Sequence, residues 1–580
     1  MTLLRTSLLL MPLLFTNVLW AQNQLFIPEV ISGEDIDLEI QEGTHEFFQG
    51  YTTATMGVNG DVLGPTILLE KGQQVTMNVH NQLPEATTVH WHGLHVSSEN
   101  DGGPHTPIEP DETWSPSFTV LDRASTYWYH PHLHQKTEKH VTMGISGLII
   151  VSDEEESQLD LPRTYGMDDL PLIIQTKEFK SDKQIVTFAH ADSVVMVNAT
   201  VDPYVEVPAQ VIRLRLLNGS SMRSFNLGLT DDQSFYQVAS DGGLLSSPVE
   251  LDRLLLAPAE RAEILINLSD LQGQTIHLKS YASELPDGIF GAKYPGINQD
   301  STLNRYDPNP LNGNDFNIMQ LNITLTSDNA VTEIPSALVN VTPWNEADAD
   351  TSRTFRLNSR VLPDQLNHPF YINDEDFAMD KINEVIPLDN LEIWSITNET
   401  AIAHPFHVHM IQFYILDRNG VIPPEQERGR KDVVFVHPME TVRFITKFET
   451  YTNPDIPYMY HCHMLIHEDE GMMGQFLVVD KATGIEGQDS HIPQHVYLEQ
   501  NYPNPFNPGT IIGFELPEPT PVQLEIFDVL GRRVALLVDE FIPAGKHEVS
   551  WDASRVSGGT YFYRLTAGDF IQTKQMMMLK

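Results

Sequence analysis

A single cysteine, Cys462, stands in 580 residues, so no disulfide can form within the chain. Basic residues are scarce as well. Against 79 Asp and Glu there are 35 Lys and Arg, a formal charge of −44, and such a surface repels nucleic acid and anionic lipid. The plain reading of that charge is a solubilising surface suited to a salty or extracellular medium. Beyond residue 21 no stretch approaches the run of about eighteen apolar residues that a membrane-spanning helix needs, so none is expected.

At the N-terminus, "MTLLRTSLLLMPLLFTNVLWAQNQ" holds one arginine, an apolar run from Leu8 to Trp20, and Ala21 before a polar segment. This is the pattern of a secretory signal over residues 1–21, with Leu19 where a small residue is usual and cleavage expected after Ala21. Exported proteins commonly use disulfides, and one cysteine cannot supply them, so Cys462 calls for another explanation. It could be a buried small hydrophobe. Its neighbours, in "YHCHMLIHEDEGMM", argue otherwise. On an extended strand His461 and His463 point one way and Cys462 the other, and three such groups are hard to bury unless a metal holds them. A thiolate, two imidazoles and a weak axial thioether make up the ligand set of a blue-copper centre. His467 and Met472 are in reach for it.

The missing imidazole has candidates upstream in "AHPFHVHMIQF", with His404, His407 and His409. Two more pairs lie early: "VHWHGLH" with His90 and His92, and "YWYHPHLH" with His130 and His132. A lone H-x-H is weak evidence of anything. Four clusters, two early and two late, with the only cysteine embedded in one, indicate a metal site.

In order and flanking residues, these four motifs resemble those of the multicopper oxidases, three-domain bacterial laccases and cuprous oxidases in particular, over roughly residues 25 to 480. The resemblance implies four copper ions. His404, Cys462 and His467, with Met472 axial, would hold type 1 copper; His90 and His407 would hold type 2. His92, His130, His132, His409, His461 and His463 would hold the type 3 pair. Neither His95 nor His134 is a ligand in the family pattern. Electrons would pass from Cys462 to its covalent neighbours His461 and His463, pooling four one-electron oxidations into the reduction of dioxygen to water. Asp101 and Glu468 match carboxylates implicated in proton delivery in the family, a role that requires protonation to change near working pH. The other class considered is a copper-binding or copper-storage protein without turnover. Residues 336–400 contain only Met379, so the methionine-rich insertion common in cuprous oxidases is missing, which favours a laccase-like range of phenolic, aromatic or metal-ion donors. The expected partners are dioxygen and a small reducing substrate, and the expected state is a monomer.

Short alternating stretches punctuated by Gly, Pro and Asn indicate an all-β chain of sandwich domains. "KGQQVTMNVHNQ", "PAQVIRLRLLNG" and "LDNLEIWSITNE" read as one strand repeated in three units: cupredoxin-like domains at 22–158, 159–335 and 336–482. The second, with only His190 and His277, is expected to be a metal-free spacer, placing the cluster between the first and third. A linker at 483–496 leads to residues 497–580, opening on "NYPNPFNP", a compact all-β tail without a ligand cluster. The tail resembles the C-terminal sorting domain of the type IX secretion system, which implies passage through that machinery from periplasm to cell surface or medium. Met576 to Met578 are read as strand residues facing both ways, with core packing expected.

Overall fold

The computed structural model describes residues 22–297, 306–359, 369–481 and, apart from 499, 502–503, 518, 543–544, 555 and 569, residues 496–579. The expected signal segment 1–21 and residues 483–495 of the expected linker lie outside the described residues. The chain forms two compact units, Met1–Lys481 and Ala482–Lys580.

The described residues are all-β in character, and their longest helix, Thr137–Met143, has 7 residues. Six sheets of the first unit enclose three principal cores. In the first sandwich the alternation is open to inspection: Ile36, Leu38 and Ile40 of Asp35–Phe48 face inward while Asp35, Asp37 and Glu39 face water. Its second sheet contains His90–His92 at one edge, beside Ser125–His130. The third sandwich builds its core around Trp394, Phe355 and Phe444, and Cys462 and Met472 belong to that core. The first described strand, Asn23–Gln24, pairs with Pro203 and Tyr204 of the middle sandwich.

The three repeated segments are equivalent strands. Gln74–Asn81, Val211–Asn218 and Leu391–Asn398 each run parallel to one neighbour, Asp35–Phe48, Asp169–Lys177 and Thr351–Ser359 respectively. Each ends on a fully buried asparagine, Asn81, Asn218 or Asn398, that makes the same turn. Its Oδ1 accepts from the backbone N–H two residues on, Leu83, Ser220 or Thr400, at 3.0, 3.0 and 2.9 Å. Its Nδ2 donates to one carbonyl four or five residues downstream and to another 27 to 38 residues further along the chain. An asparagine suits this position because its short amide serves as both acceptor and donor to nearby backbone.

The second unit packs a three-stranded and a four-stranded sheet around Leu498, Phe514, Trp551 and Tyr563. Met576 and Met578 are in that core and Met577 is 44% exposed, as the alternation predicts. No helix among the described residues is long and apolar enough to cross a membrane.

Candidate metal centres

Strand pairing sets both donor groups. His404–Val408 lies antiparallel to Asn453–Cys462, with Phe406 opposite Cys462 and His407 opposite His461. Cys462 therefore points into the third sandwich's core while His407 and His461 point out of it, towards the first sandwich.

On the core side, Cys462 Sγ is 3.5 Å from Nδ1 of His404 and 3.5 Å from Nδ1 of His467, and all three residues are buried. His467 comes from the short helix Leu465–Asp469, tied back where Met472 N donates to His467 O and Cys462 N donates to Met472 O. Thr400 Oγ1 lies 2.9 Å from His404 Nε2. A proton on Nε2 donated there leaves His404 Nδ1 as a lone pair aimed at the sulfur. The ring of Phe370 covers both imidazoles, at 5.0 and 4.7 Å between centroids. Burial pushes the Cys462 thiol well up, so a free thiolate is disfavoured and a cation is what would stabilise it.

On the other side eight histidines converge from two sandwiches: His90, His92, His130 and His132 from the first, His407, His409, His461 and His463 from the third. All are at most 1% exposed. His90 stacks on His409 at 3.9 Å and His92 on His407 at 3.8 Å. The outer nitrogens face acceptors. His90 Nδ1 donates to Asp101 O (2.9 Å), His407 Nδ1 to Asp432 O (2.8 Å) and His130 Nδ1 to Pro131 O (2.9 Å). His409 Nδ1 donates to Asp101 Oδ2 at 2.7 Å, and His461 Nδ1 to Cys462 O at 3.1 Å. Glu468 lies 3.4 Å from His132 Nδ1 and 3.2 Å from His461 Nδ1.

With the outer nitrogens carrying the protons, the inner ones are bare lone pairs facing one another. Nε2 of His132, His409 and His461 are 3.0 to 3.3 Å apart, and His92 Nδ1 is 3.3 Å from His130 Nε2. Nε2 of His90 and of His407 has no hydrogen-bond partner. Burial, reinforced by the neighbouring imidazoles, pushes all of these histidines down with the exception of His461, where burial alone does so, so protonation does not relieve the crowding. Converging imidazole lone pairs in a buried cluster, oriented from behind by carbonyls and carboxylates, suit bound metal cations. A thiolate beside imidazoles suits copper.

The family comparisons agree. A multicopper oxidase sequence profile matches residues 39–156 and a second matches 342–482. The multicopper oxidase mco of Staphylococcus haemolyticus is 33% identical over 475 residues, covering 79% of this chain and 93% of that protein. The chain belongs to the multicopper oxidases. As such it is an oxidoreductase, and the family implies copper. Cell division protein FtsP of Proteus mirabilis is also similar, 32% identical over 78% of this chain and 92% of that one. Among solved structures, the laccase-like multicopper oxidase of the lignin-degrading Ochrobactrum sp. superposes with a TM-score of 0.69 at 32% identity, over 78% of this chain and all of that one. The laccase of Pediococcus acidilactici gives 0.68 at 33%, over 79% and 94%. A secretion-system C-terminal sorting domain profile matches residues 500–579, which marks this multicopper oxidase for secretion.

The other described histidines stand apart from both groups. His95 Nδ1 is 2.8 Å from Met410 O and His134 packs edge-on against Phe377, and neither joins a group of candidate ligands, nor do His190 and His277 of the middle sandwich. Two residues that sequence reasoning missed do matter. Asp432, fully buried, sets Oδ1 3.1 Å from His92 Nε2 while its backbone carbonyl accepts from His407. Arg261 of the middle sandwich grips both oxygens of Asp432, at 2.6 and 2.5 Å. The acid in "GRKDVVFV", just ahead of an apolar strand, is the only trace of this in the sequence.

Proposed function

We propose that this protein takes single electrons from small reducing substrates, phenols and aromatic amines foremost, and transfers them to dioxygen, forming water. The observation that carries this reading is Cys462: its sulfur faces His404 and His467, while of the residues covalently beside it His461 joins His132 and His409, and His463 packs its ring against His92 and His130. Copper, when bound, supplies a one-electron acceptor at the thiolate group and a dioxygen-reducing centre at the histidines. In this reading His404, Cys462 and His467, with Met472 nearby, hold one ion, His90 and His407 a second, and the other six histidines a pair.

The chain supplies the rest. The backbone from Cys462 to His461 and His463 is a short covalent connection between the groups. Asp101 and Glu468 touch the histidines directly, and burial pushes both carboxyls up, so each carboxyl suits holding a proton, Asp101 at Oδ1, the oxygen that His409 leaves free, and releasing it towards the cluster. Domains at 22–158 and 336–482 contribute the ligands and 159–335 joins them. The tail at 497–580 suits transport by type IX machinery to the cell surface or medium.

Storage of copper without turnover is the competing reading. It needs many soft donors and has no use for a thiolate adjoining two imidazoles of another group. The test is dioxygen uptake by copper-loaded protein with a phenol, bilirubin, Fe(II) and Cu(I) side by side. Turnover fastest with the phenol is expected. Full copper with no uptake on any donor would establish storage instead.

A further inference from the structure

We propose that a small oxyanion, carrying phosphate or carboxylate groups, binds in a two-lobed cleft whose shared wall is formed by Arg430 and Arg123. Arg430 is the one arginine among the described residues with no carboxylate oxygen within 4.0 Å. In a chain with 79 acids and 35 bases, that isolation is unusual. Two rings hold the guanidinium in place, Trp344 at 5.4 Å and Tyr414 at 5.0 Å from their centroids. Such stacking orients the cation without neutralising it.

Two cavities meet at this wall. One, of about 240 Å³, is also lined by Tyr414, Asn340 and Thr342; the other, of about 220 Å³, by Lys71, His95, Gln412 and Lys447. The acids in these walls are already engaged. Asp153 accepts from the N–H groups of Glu156 and Ala124, at 2.8 and 2.9 Å. Asp122 accepts from the N–H of His95 with both oxygens, at 3.2 and 3.0 Å, and Glu449 from Lys447 at 2.9 Å. Arg123 has one acidic neighbour, Glu155 at 3.5 Å, and the two side chains are 40% and 58% exposed, so the pairing is weak. The second lobe is the cationic one: Arg123, Arg430, Lys71 and Lys447 face Asp122 and Glu449 there, while the first lobe has two of each sign.

The chemistry selects the ligand. A guanidinium fork presents paired N–H donors that match two oxygens of a carboxylate or phosphate. Lobes of about 240 and 220 Å³ that meet at the two arginines suit a small acid held at that wall.

Calorimetric titration of the full-length protein with inorganic phosphate and, separately, with succinate, at constant ionic strength in chloride, tests this. Saturable binding of at least one is expected. Arg430→Met should weaken it about tenfold or more, and Arg430→Lys, which keeps the charge but not the fork, should weaken it less. Unfolding temperatures without anion identify a variant that has simply lost its fold; for such a variant the Lys form and Arg123→Met serve instead, each expected to bind more weakly than the wild type. Absence of saturable binding by either anion overturns the proposal. Equal binding by wild type and folded Arg430 variants also overturns it, placing the anion elsewhere, the metal centres included. None of this depends on copper, so failure of the oxidase reading would leave the result standing.

Discussion

The middle and third sandwiches share a fold and a turn, and they diverge in the residues just beyond that turn. After Asn218 the chain continues through Ser220, whose hydroxyl accepts from Thr176 N, into apolar strand. After Asn398 it continues through Thr400, whose hydroxyl meets His404 Nε2, and the ligand-type residues begin. The turn is scaffold in both cases. On the strand that leads into the turn the middle sandwich also buries charge: Arg213 and Arg215 bind Glu156, Asp169 and Glu263. A fold of this kind is thus a carrier, and its chemistry resides in the few side chains placed on it. Arg261 qualifies the contrast. Through Asp432 it makes the middle sandwich part of the support for His92 and His407.

Removing the residue that most separates the two should have the largest effect. Cys462→Ser is expected to abolish the blue absorption and all oxidase turnover while the circular dichroism of the β-sandwiches persists. Retention of blue colour by the serine protein would contradict the thiolate assignment.

Next come Asp432→Asn and Arg261→Met, which probe a link between the two regions. Removing a partner that orients ligands typically lowers metal affinity about 10- to 100-fold, so copper at the histidine cluster should fall while the thiolate site keeps its colour. Copper content and electron paramagnetic resonance of the two copper types check this. Parallel loss of both types would assign the pair to fold stability alone.

Histidines in H-x-H and H-C-H patterns are legible in the sequence because their geometry is local: alternation on a strand sets which way each points. The strand repeats and the tail are legible for the same reason. Asp432 is not, because one acid among 79 carries no local signal, and its partner Arg261 lies 171 residues away. The unpaired state of Arg430 is equally a product of tertiary contacts.

A smaller effect compares the turns themselves. Asn218→Ala and Asn398→Ala each strand buried backbone groups and should cost about 1–3 kcal/mol, seen as a lowered urea midpoint. Only Asn398→Ala is expected to shift the thiolate spectrum as well, because Thr400 and His404 hang from that turn. An equal spectral shift from Asn218→Ala would erase the distinction.

The smallest concerns Met472, buried in the third core. Met472→Leu should preserve the colour and raise the potential of the blue site modestly, since a weak donor is withdrawn. Redox titration gives the sign, and a lowered potential would place another group there.

The central claim is that the thiolate group and the histidine group act as one device through Cys462. Its most direct test is the stoichiometry of dioxygen consumption by the copper-loaded protein during oxidation of a phenol, with hydrogen peroxide assayed in parallel. Four electrons withdrawn per dioxygen, with no peroxide, is the expected result. Two electrons per dioxygen with matching peroxide would mean that the two groups do not work together, and would contradict the account.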